Sequence, residues 1–230
     1  PHTAPIADCI VRLTQSYRYP ENSGIGTLAT AINTGNIPEV ERVLAAEDYT
    51  DVALVPIRQA TAFGPVWDAY IAQQYTPVLQ ENDPPHRLQH FERFRVLCAH
   101  REGPFGVTKC NRYIETLFRN SGLIDSDDTW YPGRPIVITQ NDAEVGLFNG
   151  DVGICVEHDG KHYVYFRTAS GDERMLLPMQ LPAHETAFAM SVHRSQGSEF
   201  NAVAVLLPDY LSPVLSRELL YTAVTRARQQ

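Results

Sequence analysis

The chain has 230 residues, of which 43% are hydrophobic and 20% are charged, and its formal net charge is −8 at pH 7. This composition is typical of one large or two modest globular domains and excludes a disordered or fibrous protein. The negative charge argues against a protein that is held to nucleic acid by bulk electrostatics, although a few placed arginines and backbone amides could still contact DNA.

The first residues, PHTAPIADCIVRL, show neither a basic region nor a continuous apolar segment, so no secretory signal is predicted. No apolar run reaches the length of about 18 residues that a membrane span needs. Four scattered cysteines without a Cys-x-x-Cys pair favour reduced thiols over a zinc site or a disulfide framework. We therefore expect a cytoplasmic protein without a metal site. The start at Pro1 suggests a chain cut from something longer.

Helical and strand patterns alternate in the first hundred residues. A turn-rich stretch, YRYPENSGIG, precedes the helical pattern TLATAINTG, which Gly35 ends. A helix (PEVERVLAAE), a short strand (DVALVPI) and a further helical region to about Phe94 follow. The tract YTPVLQENDPPHRL is expected to be a surface loop, because Pro84 and Pro85 block helix propagation.

A compact apolar run, RFRVLCA, predicts a buried strand, and REGPFGV is the loop after it. The next stretch, KCNRYIETLFRNSG, predicts a helix that stops near Gly122. Its apolar residues recur at helical spacing: Tyr113, Ile114, Leu117 and Phe118. Strand, loop and helix in this order predict a parallel α/β layer.

The period changes between about Trp130 and Pro182. The strand candidates there are PIVIT, DVGICVE, KHYVYF and ERMLLPMQL, and Asp159-Gly160 predicts a β-hairpin turn. Roughly fifty residues of short strands predict a small β-barrel. Because the α/β pattern returns afterwards, residues 129–182 are predicted to be an insertion into an α/β domain formed by residues 1–128 and 183–230.

Two stretches near the end carry an unusual set of polar residues. A turn between the strands FAMSV and NAVAVLLP needs little more than a glycine, yet the chain places HRSQGSE there. In the final helix, which is predicted to begin around Ser216, Thr222 and Arg226 lie four residues apart at the edge of an apolar stripe. Arg226 could aim its guanidinium across a cleft, where the planar fork suits phosphate oxygens. Taken alone, each stretch is also consistent with a polar turn or with a surface helix that ends in arginines.

Together, HRSQGSEF and ELLYTAVTRAR resemble motifs V and VI of superfamily 1 DNA helicases, with most similarity to the RecD-type group that includes the alpha subunit of exodeoxyribonuclease V. The stretches LTQSYR, LCAHREGPFGV and GRPIVITQNDAEVGLFNGDVGI extend the resemblance over nearly the whole chain. It implies a motor of two recombinase-like α/β domains of the P-loop NTPase superfamily. This chain resembles the second motor domain, with an inserted Src-homology-like barrel.

The resemblance also implies that ATP with Mg²⁺ lies between the two domains and that single-stranded DNA runs across both. The phosphate-binding pattern G-x-x-x-x-G-K-[ST] is absent from this sequence, as is the paired acidic motif that positions magnesium. In the family both lie upstream, so the chain alone is expected not to hydrolyse ATP.

Individual roles follow from the same resemblance. Arg226 matches the motif VI arginine finger, and Arg18 matches a second arginine that senses the γ-phosphate. Gln196 would lie beside the phosphates, Gly197 would permit close backbone approach, and Glu199 would accept a hydrogen bond from the ATP ribose.

Ser191, His193 and Arg194 match positions that face the DNA strand. The family usually has threonine where Ser191 stands and lysine where Arg194 stands, so the hydroxyl and the positive charge are kept. The implied function is the C-terminal part of an ATP-dependent 5′-to-3′ helicase subunit. Its partners would be the other subunits of a heterotrimeric helicase-nuclease that processes double-strand breaks.

Two other functions stay open from the sequence. One is a stand-alone RecD-like or conjugative helicase, and the other is a non-catalytic module whose barrel docks a protein or a nucleic acid. His86 and His90 could share a helix face and bind a metal, but no third ligand is evident. The acidic run of Asp125, Asp127 and Asp128 is interpreted as a solvated linker.

Overall fold

The structure, a computed structural model, describes residues 19–20, 22–57, 63–125, 128–168 and 171–230. The helices in this part of the chain are α1 (Gly24–Thr34), α2 (Ile37–Ala45), α3 (Pro65–Gln80), α4 (Pro84–Glu92), α5 (Val107–Asn120) and α6 (Arg217–Val224). The strands are β1 (Phe94–Cys98), β2 (Pro135–Ile138), β3 (Val152–His158), β4 (Lys161–Arg167), β5 (Glu173–Leu176), β6 (His184–Thr186), β7 (Ala189–Ser191) and β8 (Ala202–Leu206). No helix of the described part is long and apolar enough to cross a membrane.

A parallel sheet forms the α/β part, with the strand order β7-β1-β8. All five residues of β1 are buried, because helices cover both faces of the central strand. Val96 packs in the cluster that α3, α4 and α5 complete, whereas Leu97 packs with Leu219 of α6 on the opposite face. The predicted parallel α/β layer is confirmed.

An antiparallel sheet of five strands occupies the middle of the chain, in the order β5-β4-β3-β2-β6. The predicted hairpin joins β3 to β4: Asp159 and Gly160 have φ angles of 51° and 69°, which the two-residue turn requires. The sequence did not reveal β6, which is only three residues long. Within the described residues β5 and β6 are the two edges of this sheet, and closure into a barrel stays a prediction.

The predicted loop over YTPVLQENDPPHRL is wrong. Its first part continues α3 to Gln80 with Pro77 inside the helix, and its last part forms α4. Pro84 and Pro85 occupy the first turn of α4, where the missing N–H costs nothing. Asp83 caps this helix by accepting a hydrogen bond from the His86 N–H at 3.2 Å. Only three residues, 81–83, therefore separate α3 from α4.

The predicted strand DVALVPI is also wrong, since residues 52–57 form no strand. Asp51 instead anchors the start of α1. Its carboxylate accepts hydrogen bonds from the Ser23 hydroxyl at 2.8 Å and from the Gly24 and Ile25 N–H groups. The neighbouring Leu54 side chain is 65% exposed, so this apolar pattern does not reflect burial.

The final helix begins where predicted, with Ser216 capping the Leu219 N–H at 3.2 Å. It ends earlier than the apolar stripe suggests, at Val224. Beyond it residues 225 and 226 form a turn, and Ala227 forms a parallel bridge with Phe200. Arg226 therefore lies in a tight connection after the helix.

Candidate functional site

The loop of residues 192–201 lies at the centre of the candidate site. It connects β7 to β8, which flank β1 on opposite sides and run parallel to it. The loop must therefore return from the carboxyl edge of the sheet, at Ser191, to the amino edge, at Ala202. It begins with a 3-10 turn at Val192–Ser195, in which the buried Ser195 hydroxyl donates to the Val192 carbonyl at 2.7 Å. One polypeptide segment thus connects the two edges.

The predicted DNA-facing residues lie at the carboxyl edge. Ser191 ends β7 directly beside Cys98, the last residue of β1. The loops after these two strands leave the sheet at the same edge, where parallel α/β folds place their ligands. His193 is exposed there.

Arg194 is held by a carboxylate of the antiparallel sheet. Its Nη1 forms a short ion pair with Glu185 of β6. The other oxygen of Glu185 accepts a hydrogen bond from Arg101 Nη2 at 2.7 Å. Glu185 thus joins the loop after β7, the loop after β1 and the antiparallel sheet.

Arg226 is bound to the same loop from the other side. Its Nε donates to the Thr222 carbonyl at 3.1 Å, and its Nη1 donates to the Ser198 carbonyl at 3.0 Å. In addition, the Phe200 N–H donates to the Arg226 carbonyl at 2.9 Å. The two backbone carbonyls therefore fix the plane of the half-buried guanidinium. Because a carbonyl group is neutral, neither bond compensates the positive charge.

Arg18, the second predicted phosphate-sensing residue, lies outside the described residues. The next residue, Tyr19, donates a hydrogen bond from its hydroxyl to the Ala227 carbonyl at 2.8 Å. Helix α1 also packs against α6, with Leu28 and Ile32 beside Leu220. The start of the described chain and its end therefore meet.

The three predicted nucleotide-binding residues follow one another in the second half of the loop. Gln196 and Gly197 are exposed. Gly197 has a φ of 86°, and no atom lies within 4 Å of the position that a Cβ atom would occupy there. Glu199 forms an ion pair with Arg228 at 2.7 Å. An ATP ribose would therefore share this carboxylate with Arg228.

A cavity of about 880 Å³ extends along the loop, between α4 and the segment that joins β2 to β3. Its charged and titratable lining consists of Glu92, Arg93, Arg95, His193, Arg194, Glu199 and Arg228. Arginines outnumber carboxylates in this lining by four to two, so the cavity is positive although the chain as a whole is negative.

Arg95 is the deepest of these arginines, with 2% of its surface exposed. It stacks over the Phe91 ring, with Cζ 3.5 Å from the ring centroid, and its Nη1 donates to the Ala187 carbonyl at 2.8 Å. Its Nε has no hydrogen-bond partner among the described residues. Burial lowers the pKa of Arg95 to about 10, which still leaves it charged at neutral pH.

Sequence reasoning missed the residues that connect the predicted ones: Arg95, Arg101, Glu185 and Arg228. A signal exists for Arg95, because it is the charged residue inside an otherwise apolar strand. The others are charges in polar surroundings, and only their spatial proximity reveals them. For a metal, no group of three or more His, Cys, Asp or Glu side chains is suitably arranged in the described part of the chain.

The chain is similar to several known proteins. Residues 186–230 match the UvrD-like helicase C-terminal domain. Over 98% of its length the chain is 34% identical to the RecBCD enzyme subunit RecD of Haemophilus influenzae, of which it covers 37%. Over 95% of its length it is 37% identical to the RecBCD enzyme subunit RecD of Mycolicibacterium smegmatis, of which it covers 38%. The chain thus spans less than two fifths of these relatives.

Two further similarities concern the activity named for one relative and the fold of another. The ATP-dependent RecD2 DNA helicase of Deinococcus radiodurans is 33% identical over 59% of this chain, and the match covers 19% of that protein. The crystal structure of the Pif1 helicase from Bacteroides in complex with ADP-AlF3 and single-stranded DNA superposes with a TM-score of 0.51 at 16% identity. That match covers 95% of this chain and 49% of the Pif1 chain, and at this identity it shows the fold alone.

Proposed function

We propose that this chain, which is related to the RecD-type superfamily 1 helicases, forms the second motor domain of an ATP-dependent 5′-to-3′ DNA helicase. The observation that carries the proposal is the loop of residues 192–201, which is tied to Arg226 at one end and to Glu185 at the other. Such a segment can transmit a change at a nucleotide to a DNA strand at the opposite edge of the sheet. The chain covers 37% and 38% of the two RecD relatives, which leaves room in such a protein for the first motor domain that the proposal requires.

Arg226 acts as the arginine finger in this proposal. Phosphoryl transfer develops negative charge on the γ-phosphate oxygens, and a guanidinium from a neighbouring domain stabilises that charge. The two backbone carbonyls that orient Arg226 reduce the entropy lost when it reaches a phosphate. Arg18 is the second phosphate-sensing arginine of the proposal, and the contact of the next residue, Tyr19, with Ala227 supports this choice.

The residues after the 3-10 turn fit a nucleotide that is held mainly by another domain. ATP with Mg²⁺ would supply the energy of phosphoryl transfer. Gln196 and Gly197 expose backbone and amide groups to it, and Glu199 offers a carboxylate to the ribose. This chain has no phosphate-binding glycine-lysine loop, so we expect no ATP hydrolysis by the chain alone.

Single-stranded DNA would lie along the carboxyl edge, against Ser191, His193 and Arg194. Arg101 joins this set in the proposal, because it shares Glu185 with Arg194. Arginine forks bind backbone phosphates without reading sequence. Opening and closing of the two motor domains would then move the strand.

The arrangement of the chain also belongs to the proposal. We assign residues 1–128 and 183–230 to the motor domain and residues 129–182 to an inserted Src-homology-like barrel. Strand β6 lies just beyond this boundary and pairs with β2 of the inserted part. The whole protein would belong to a heterotrimeric helicase-nuclease of the exodeoxyribonuclease V type that acts in double-strand break repair in the bacterial cytoplasm. The names of the relatives, RecBCD enzyme subunit RecD, support the subunit membership. The match to a RecD2 helicase supports a second candidate, a helicase that works without partner subunits. Co-purification of other subunits with the whole protein separates the two.

The test is unwinding of tailed DNA duplexes by the whole protein that contains this chain. We expect ATP-dependent separation of a duplex with a 5′ single-stranded tail and little separation of one with a 3′ tail. Equal unwinding of both duplexes would refute the proposed direction, and unwinding of neither would refute the proposed motor.

A further inference from the structure

Arg95 is a buried positive charge that forms no salt bridge with any residue that the structure describes. The strand β1 places it on the face of the sheet that looks toward the cavity, while Phe91 and Phe200 hold its guanidinium. Its Nη1 is satisfied by the Ala187 carbonyl, and its Nε is unsatisfied within the described residues. Buried charges are normally paired, since an unpaired one loses its hydration without compensation.

The side chains around the cavity do not supply the missing negative charge. Glu199 is engaged by Arg228, and Arg194 is engaged by Glu185. The formally charged side chains of the lining that remain are Glu92, Arg93 and Arg95, a set with one carboxylate and two guanidinium groups. Glu92 is exposed, so its charge is screened by solvent.

We propose that the cavity binds a phosphate oxyanion, with Arg95 at its base and Arg93 at its rim. A guanidinium that is stacked on an aromatic ring is already ordered, so it loses little entropy when it donates a hydrogen bond to a phosphate. The cavity, at about 880 Å³, accommodates more than one phosphate group. This site is separate from Arg226, whose guanidinium is not part of the lining.

Two sources share this chemistry: a phosphodiester of the DNA backbone and the phosphates of a free nucleotide. The identity of the source rests on the proposed helicase function, but the oxyanion site does not. It can therefore be measured without ATP hydrolysis or unwinding. Loss of unwinding with retained phosphate binding would defeat the helicase proposal and leave this one intact.

The experiment is isothermal titration calorimetry of the chain at low salt with two probes, sodium pyrophosphate and a short oligo(dT) strand. We expect Arg95→Met to weaken binding of the tighter probe by at least roughly tenfold, the effect of losing a charge-assisted hydrogen bond. Tighter binding of oligo(dT) identifies backbone phosphate as the source, and tighter binding of pyrophosphate identifies a nucleotide.

Arg87→Met is the matched control. Arg87 is also an almost fully buried arginine with an unsatisfied Nε, and its Nη1 donates to the Cys155 carbonyl at 3.1 Å, but it does not line the cavity. Equal weakening by Arg87→Met and Arg95→Met would overturn the proposal, as would unchanged binding by Arg95→Met or binding of neither probe by the parent chain. If circular dichroism shows that Arg95→Met is unfolded, the exposed Arg93→Gln decides: weaker binding supports the site, and unchanged binding overturns it.

Discussion

At the scale of one residue, two hydrogen bonds to backbone carbonyls orient Arg226, the predicted arginine finger. The sequence places it four residues after Thr222, and the structure converts that spacing into a hydrogen bond from Nε to the Thr222 carbonyl. The second bond, to the Ser198 carbonyl, joins residues 28 positions apart and has no sequence signature. The proximity of Arg226 to Thr222 could be predicted from the sequence, whereas the bond to Ser198 in the loop could not.

Gly106 explains part of the REGPFGV stretch. A side-chain carbon at this position would lie 2.5 Å from the Glu102 carbonyl carbon, 2.6 Å from its oxygen and 2.7 Å from the Arg101 oxygen. These are backbone atoms of the loop after β1, so they cannot move aside independently. The glycine is therefore required where the loop folds back onto the first turn of α5.

We predict that Gly106→Ala lowers the free energy of unfolding by roughly 2–4 kcal/mol, because overlap with the backbone forces the loop to rearrange. Urea denaturation of the chain measures this change. The control is Gly122→Ala, which has no atom within 4 Å but a φ of 74°, and which should cost about 1 kcal/mol from backbone strain alone. A Gly106→Ala variant as stable as Gly122→Ala would contradict this explanation.

Among the elements, those with strong local signals could be predicted. The apolar run of β1, the spacing of α5 and the Asp159-Gly160 turn each fix a structure through neighbouring residues. The errors arose where a local signal has two meanings. Proline interrupts a helix at most positions but is favoured in its first turn. For Pro84 and Pro85 the cap from Asp83 shows that a helix begins there.

The short strand β6 has a larger role than its length suggests. It pairs with β2 in the antiparallel sheet, and its central residue, Glu185, engages Arg194 and Arg101. Both arginines lie in loops of the parallel sheet. The antiparallel sheet is thereby connected to the loop that we assign to DNA and nucleotide.

We predict that Glu185→Gln increases local opening of residues 192–198 without loss of the global fold. The pair with Arg194 is partly buried and contributes about 1 kcal/mol, so amide hydrogen exchange in this segment should accelerate roughly fivefold. Glu102→Gln is the control, since Glu102 is a more exposed carboxylate near Arg101. Exchange rates in residues 192–198 that do not differ between the two variants would contradict a role for Glu185 in holding the loop.

At the scale of the whole molecule, the first and last described segments of the chain meet beside the loop of residues 192–201. The contact from Tyr19 to Ala227, the packing of α1 on α6 and the bridge from Phe200 to Ala227 bring sequence-distant segments together. Motif order along the chain was sufficient to predict the similarity to helicases and the parallel layer. It could not show the cavity or its charge balance, because these depend on side chains that meet only after α4, β1 and the loop have packed.

The central claim is that Arg226 stabilises charge on a transferring phosphoryl group. The most direct test is single-stranded-DNA-stimulated ATP hydrolysis by the whole protein, with Arg226→Ala and Arg226→Lys compared with Arg42→Gln. Arg42 is an exposed arginine paired with Glu39 and remote from the loop. We predict that kcat falls about 10³-fold or more in Arg226→Ala, which loses the charge, while Arg42→Gln keeps its rate. Arg226→Lys should fall as far, because lysine retains the charge but lacks the planar fork of the guanidinium. Hydrolysis by folded Arg226→Ala within about threefold of the unchanged protein would contradict the claim.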